Sequence, residues 1–200
     1  MSLDAATGRP ATARPRTTRA TAGTGGGTVW LTGLSGAGKS TIATELARQA
    51  RAVGRRVEVL DGDELRAHLS PGLGFGRADR DAHVIRVGYL ARLLARHGVL
   101  VLVPVIAPYA DTRAAVRAGH EAHGLPFVEV YVSTSVDECA RRDVKGLYAA
   151  HAAGALTHLT GVDDPYETPE RPDLTLDTAG QEPPASAATV TALLTERGLL

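Results

Sequence analysis

The stretch TVWLTGLSGAGKST, from Thr28 to Thr41, decides the fold. It opens as an apolar run, Thr28 to Thr32, and passes into Gly33-Leu-Ser-Gly-Ala-Gly-Lys-Ser-Thr41. The spacing G-x-x-x-x-G-K-[ST] is met at Gly33, Gly38, Lys39 and Ser40. Glycines at this spacing let successive main-chain N–H groups point into one concavity, which suits phosphate oxygens. A helix beginning there adds the partial positive charge of its N-terminus. Thr41 to Ala50 supplies that helix, with Ile42, Leu46 and Ala50 on one face. In such a loop the lysine reaches the outer phosphates and the serine hydroxyl ligates Mg²⁺. The expected ligand is a nucleoside triphosphate. The loop alone does not say what receives the phosphate.

Working outward, apolar runs alternate with helix-like segments. Arg56 to Asp61 reads as a strand ending in Asp-Gly-Asp. Asp79 to Arg96 has helical spacing, with Val84, Val87, Leu90, Ala91 and Leu94 on its apolar face. Val99 to Ile106 is a continuous Val/Leu strand of the kind found in parallel sheets covered on both faces. A helix over Asp111 to His123, a strand over Phe127 to Val132, a helix over Asp137 to Arg142, a short strand over Asp173 to Asp177 and a helix over Ala185 to Arg197 complete the pattern. Strand–helix alternation predicts an α/β fold of the P-loop NTPase type: a doubly wound parallel sheet of about five strands with helices on both faces. Ligands of such sheets sit at the carboxyl ends of the strands. The phosphate loop, Asp61-Gly-Asp63 and Ile106-Ala-Pro-Tyr109 each follow a strand and are expected to face one crevice.

Two hundred residues suit one such domain, assigned here to residues 28–200. Residues 1–27 carry almost no large apolar side chains and are expected to be a disordered tail. The tail has no apolar signal region, and its arginines follow a bias that runs through the whole chain. With a formal net charge of zero, charge alone gives no sign of a polyanion, and no nucleic-acid partner is expected. No apolar run approaches the roughly 18 residues of a membrane span. The single cysteine, Cys139, excludes an intramolecular disulfide framework and fits a reducing cytoplasm, the expected location. Gly72 to Gly76 and Ala140 to Tyr166 look loop-rich, and the second is expected to be a lid that excludes water from a phosphoryl group.

Asp61 and Asp63 flank one glycine. In an extended segment both carboxylates point the same way. One can organise Mg²⁺ and one can take a proton from an attacking hydroxyl. The competing reading is a simple Asp-Gly turn. Arg66, Arg80 and Arg86 follow, with guanidinium forks suited to phosphate or sulfate oxygens or to a solvated surface. One helical turn would bring Arg66 close to Asp63. Phe75, between two glycines, either stacks on a base or plugs the core. Of 22 basic residues only Lys39 and Lys145 are lysines, which marks Lys145 as a site candidate in a chain that otherwise uses arginine.

Taken in order, Gly33 to Thr41, Asp61-Gly-Asp63 with Arg66, Gly72-Leu-Gly-Phe75, Asp79-Arg80, Ile106 to Tyr109 with Arg113, Arg142-Asp-Val-Lys-Gly-Leu-Tyr148 and Thr160-Gly-Val-Asp-Asp-Pro-Tyr-Glu167 resemble adenylylsulfate kinases (APS kinases) over residues 28–178. The resemblance implies transfer of the ATP γ-phosphate to the 3′-hydroxyl of adenosine 5′-phosphosulfate (APS), giving PAPS and ADP. It implies that Gly33, Ser35, Gly36, Ala37, Gly38, Lys39, Ser40 and Thr41 hold the ATP phosphates, with Arg142 near the ATP base. Lys39, Asp61 and Asp63 are implied to be catalytic, with Ser40 and Asp61 on Mg²⁺. The acceptor falls to Asp63, Arg66, Phe75, Arg80, His83, Ile106, Ala107, Pro108, Tyr109 and Leu159, with Lys145, Gly146 and Leu147 on the lid. A homodimer is expected by the same analogy.

The chain departs from the family pattern on the acceptor side. His83 stands where the family usually has Asn, Ile85 where it has Arg, and Leu159 where a Phe forms a sandwich with Phe75. Ala107 and Gly76 replace frequent serines. Ala107 carries no nucleophile, which favours direct in-line transfer. Two alternatives therefore stand beside an APS kinase. One is a related phosphotransferase retuned to another nucleotide or small phosphorylated alcohol. The other is a non-catalytic nucleotide-binding regulator.

Overall fold

The computed structural model describes residues 25–200. Five strands form one parallel sheet: β1 (Gly27–Thr32), β2 (Val57–Val59), β3 (Leu100–Pro104), β4 (Phe127–Val132) and β5 (Leu174–Leu176), in the spatial order β2-β3-β1-β4-β5. Seven helices connect them: α1 (Lys39–Ala52), α2 (Gly62–Leu69), α3 (Arg77–Arg96), α4 (Ala110–Glu121), α5 (Val136–Arg142), α6 (Leu147–Ala152) and α7 (Pro183–Glu196). This is the doubly wound sheet that the alternating pattern predicts.

Side-chain alternation along β1 explains the two layers. Val29 and Leu31 point to one face, where α1 and α7 bury Ile42, Leu46, Ala50, Val190 and Leu194. Trp30 points to the other, where Val84, Val87, Ala91, Val116 and Phe127 from α3, α4 and β4 surround it. All five residues of β3 are buried, as expected for a strand covered on both sides. No helix among the described residues is long and apolar enough to cross a membrane.

Most of the tail expectation, residues 1–24, lies outside the described residues. Gly27, assigned to that tail, instead opens β1. Two helices differ from the sequence expectation. Asp61-Gly-Asp63 is not extended: Asp61 is the N-cap of α2, and its Oδ1 accepts the main-chain N–H of Asp63 at 3.0 Å. The loop-rich stretch after Ala140 contains α6, whose first free N–H groups, on Tyr148 and Ala149, donate to the two carboxylate oxygens of Asp143 at 3.0 Å each.

Candidate active site

The phosphate loop is made from the end of β1 and the first turn of α1. Gly33 must be glycine: its φ is +149°, and a Cβ there would lie 2.4 Å from the carbonyl oxygen of Val132 on β4. Gly38, at φ +103°, turns the chain into α1. Behind the loop, the Ala37 carbonyl accepts from Thr134 and Thr178, and Tyr148 donates to Ser35 O at 2.9 Å. Lys39 is buried, and its ammonium donates to Gly33 O and Leu34 O at 2.9 and 2.6 Å. Burial, then the neighbouring Lys145 ammonium, lowers its pKa to about 8.

The paired carboxylates enter at the start of α2. Asp61 Oδ2 accepts from Ser40 Oγ at 2.8 Å, which joins the starts of α1 and α2. Asp63 Oδ2 accepts from Lys145 Nζ, on the turn between α5 and α6. Both aspartates therefore face the phosphate loop, through a helix cap rather than strand alternation. Hydroxyl and carboxylate oxygens at Ser40 and Asp61 are hard donors of the kind Mg²⁺ takes.

Three clefts run side by side over the carboxyl ends of the strands. The central one is walled by Ser35, Gly36, Gly38, Lys39, Ser40, Thr41, Asp61, Asp63, Arg142 and Lys145, with Val144. On one side it shares Gly62, Asp63, Val105 and Ile106 with a second cleft, completed by Arg66, Phe75, Arg80, His83, Ala107 and Pro108. On the other it shares Gly38, Thr41 and Arg142 with a third, completed by Ile42, Thr178, Gly180, Gln181 and Ser186 among others. Arg142 is fixed there by donating to Thr178 Oγ1 and Thr178 O at 2.8 and 2.9 Å. The Thr178–Gln181 wall was not anticipated from the sequence. Its signal was available: the segment directly follows the last strand, where the carboxyl-end rule places ligands.

Phe75 is 58% exposed, which excludes the core-plug reading. Arg66 lies over its ring at 4.6 Å and donates to Gly74 O at 2.8 Å. Arg80 is buried and largely committed within the protein. Its guanidinium donates to Phe75 O, Thr160 Oγ1 and His158 O at 2.6, 2.9 and 2.7 Å, and to Asp164 at 3.3 Å. It thereby staples the Thr157–Glu167 strap to the loop bearing Phe75. The Ile106–Tyr109 turn is set by buried Arg113, which donates to Ala107 O, Glu167 O and Glu129. Ala107 adopts a left-handed φ of +45° there.

Six of the sequence candidates stand behind the clefts rather than on their walls. Gly33 and Ala37 shape the loop from below, and Tyr109 is buried at the N-cap of α4. Gly146 caps α6 and Leu147 begins it. Leu159 is 5% exposed on the stapled strap and does not border the second cleft, which Phe75 and His83 line. His83 is buried on the wall of that cleft, with Nδ1 2.9 Å from Ser70 Oγ; burial first, then Arg66, lowers its pKa.

Comparison with known proteins gives the same answer as the geometry. Residues 25–177 match the family described as Adenylylsulphate kinase. The adenylyl-sulfate kinase of Myxococcus xanthus is 53% identical over 172 residues, 86% of this chain and 92% of that one. The structure of the Mycobacterium tuberculosis APS kinase in complex with AMPPNP and APS superposes with a TM-score of 0.82 at 46% identity, over 85% of this chain and 98% of that one. A hexameric APS kinase from Thiobacillus denitrificans matches at 37% identity and a TM-score of 0.68, over 88% of this chain and 30% of that one. With its phosphate loop, paired aspartates and acceptor cleft in one continuous groove, the chain belongs to the adenylylsulphate kinase family.

Proposed function

We propose that the protein transfers the γ-phosphate of ATP to the 3′-hydroxyl of adenosine 5′-phosphosulfate, giving PAPS and ADP. One observation carries this reading: Asp63 stands on the shared wall of the phosphate cleft and the acceptor cleft. A hydroxyl delivered from the acceptor side meets a carboxylate before it meets phosphorus. Asp63 takes the proton as the 3′-oxygen bonds to the γ-phosphorus and the bond to the ADP oxygen breaks. Lys39 and Lys145 place two ammonium groups where negative charge must be held. Ser40 and Asp61 would hold Mg²⁺, which when bound neutralises charge on the outer phosphates. The absence of a hydroxyl at Ala107 supports direct transfer without a phosphoprotein intermediate.

On the acceptor side, the exposed Phe75 ring offers the adenine a stacking surface, and Arg66 beside it offers a guanidinium to the phosphosulfate. Arg80 has one N–H beyond its internal bonds for the same purpose. Thr178 to Gln181 and Arg142 form the cleft for the ATP base. Residues 140–166 serve as the lid, with Lys145, Gly146 and Leu147 on its inner turn and Leu159 on its strap. The reading includes a homodimer by family analogy, to be checked by light scattering because one relative is hexameric. It also includes a cytoplasmic location, consistent with the single cysteine.

The test is incubation with Mg·ATP and a panel of APS, AMP and other nucleotides, with product mass as the readout. The expected product is PAPS. Preference for a non-sulfated acceptor would favour the retuned phosphotransferase, and no ADP with any acceptor would favour the regulator.

A further inference from the structure

Helix α2 carries Asp63 and Arg66 and is capped by Asp61, yet none of its side chains is fully buried, and Leu65 packs only partly buried against the core. Eight residues are too few for a helix to stand on propensity alone. Its placement relies on groups that other elements bring to it, Ser40 on Asp61 and Lys145 on Asp63 among them. Two more come from α3. Arg86 donates to the main-chain oxygen of Leu69, near the end of α2, at 2.9 Å. His83 is 5% exposed and reaches further. Its Nδ1 lies 2.9 Å from the hydroxyl of Ser70, and its ring borders the same cleft as Gly62 and Asp63. Gly62 is the first residue of α2, between the two aspartates, and Ser70 is its C-cap. One imidazole therefore anchors the C-cap of the helix and faces the cleft that its first turn lines. Ser70 is itself 1% exposed and stands off the wall of the acceptor cleft.

We infer that His83 is a positioning residue, which holds α2 by its C-cap, Ser70, and so fixes the set of the helix that presents Asp63 to the phosphate cleft. The inference rests on the kinase reading above. It separates His83 from a residue that merely touches acceptor. A contact residue acts on acceptor affinity, whereas a positioning residue acts on the turnover step through the geometry of Asp63. It also gives a physical meaning to histidine where the family usually has asparagine. Both side chains can hydrogen-bond to the Ser70 hydroxyl, and an apolar side chain cannot.

The experiment compares His83→Leu, His83→Asn, Ser70→Ala and the double variant His83→Leu/Ser70→Ala in the full chain. Steady-state kinetics with ATP and APS, and a thermal melt of each protein, are the readouts. His83→Leu keeps the volume and loses the hydrogen bond. Its kcat is expected to fall about 100-fold, the scale on which a misplacement of about 1 Å acts, while the KM values for ATP and for APS stay within about threefold of wild type. His83→Asn is expected to recover most of that loss. Ser70→Ala is expected to lower kcat about fivefold, as one hydrogen bond implies, although Ser70 does not border the acceptor. The double variant is expected to be no worse than His83→Leu, because both changes cut one linkage.

Wild-type kcat in His83→Leu, or full additivity in the double variant, overturns the inference. Should His83→Leu melt below the assay temperature, Ser70→Ala and His83→Asn decide instead. Unchanged kcat in Ser70→Ala then overturns it. A wild-type protein that forms no PAPS defeats the kinase reading, whereas an active wild type with silent variants defeats only the role of His83.

Discussion

The phosphate loop and helix α2 face each other across one cleft, but they are held by different means. The loop is part of the core. It leaves β1 between two neighbouring strands, its glycines pack against the main chain of β4 and α5, and buried hydroxyls tie down its carbonyls. α2 is held at the edge of the sheet by its caps, by Arg86 and His83 at its C-terminal end, and by the partly buried Leu65. On the reading proposed above, donor binding is thus a property of backbone shape, which few substitutions can alter without damaging the fold. Acceptor binding on that reading is a property of side chains, which can be exchanged one at a time. The departures from the family pattern obey this division: His83, Ile85, Leu159, Ala107 and Gly76 all fall outside the loop.

The sharpest way to break the comparison is to remove a side chain from α2 and ask whether the donor side notices. Asp63→Ala is expected to lower kcat by about 10²–10⁴, the range of general-base catalysis, while ATP affinity by titration calorimetry changes little. An equal loss of ATP binding would mean that the two sides are not separable. Next in size is the converse. Gly33→Ala is expected to destabilise the whole domain, by about 1–3 kcal/mol from backbone strain alone, with further loss from the contact at Val132. Urea unfolding measures it, and a normal midpoint would show the loop to be less embedded than described.

Smaller effects sharpen the acceptor half. Phe75→Ala is expected to weaken APS binding by about 1–3 kcal/mol with ATP unaffected, if a stacked base is lost. Leu159→Phe is expected to tighten it by about 1 kcal/mol if the strap can present a second ring. The same affinity before and after would confine Leu159 to packing. The smallest expected effect is on stability against pH. His83 and His120 are both buried, and burial lowers both pKa values below the 6.5 of a free imidazole. The unfolded chain therefore takes up protons first as pH falls. Stability from these residues is whole above about pH 6.5 and declines as pH drops through the folded pKa values. Melts at pH 7.5 and 5.5 test this, and replacing His120, which bonds Thr28 and Val116 far from the clefts, should leave the share of His83 in place.

The division also explains what the sequence could and could not disclose. The loop was legible because its function fixes its backbone, and the backbone fixes the glycines. β4 occupies Phe127–Val132, the run that its apolar pattern predicts. α2 was less legible because Asp61-Gly62 is chemically a turn as well as a cap, and only the N–H of Asp63 decides between them. α6 was missed because six residues between Gly146 and Gly154 give too short a period to recognise. The staple at Arg80 was beyond local pattern altogether. Its partners at His158, Thr160 and Asp164 lie about 80 residues away, and a guanidinium does not declare whether it will meet a substrate or a carbonyl.

One consequence follows from the strand order. The three clefts sit in sequence across the sheet, one over β2 and β3, the next over β1, and the third beside the loop that leaves β5. At about 4.8 Å between neighbours, five strands span about 19 Å. On the proposed reading the sheet acts as a ruler laid crosswise to the chain, with the two nucleotides at opposite margins and the travelling phosphorus at its midpoint. Evolution can redraw the markings at one margin without moving the zero at the other.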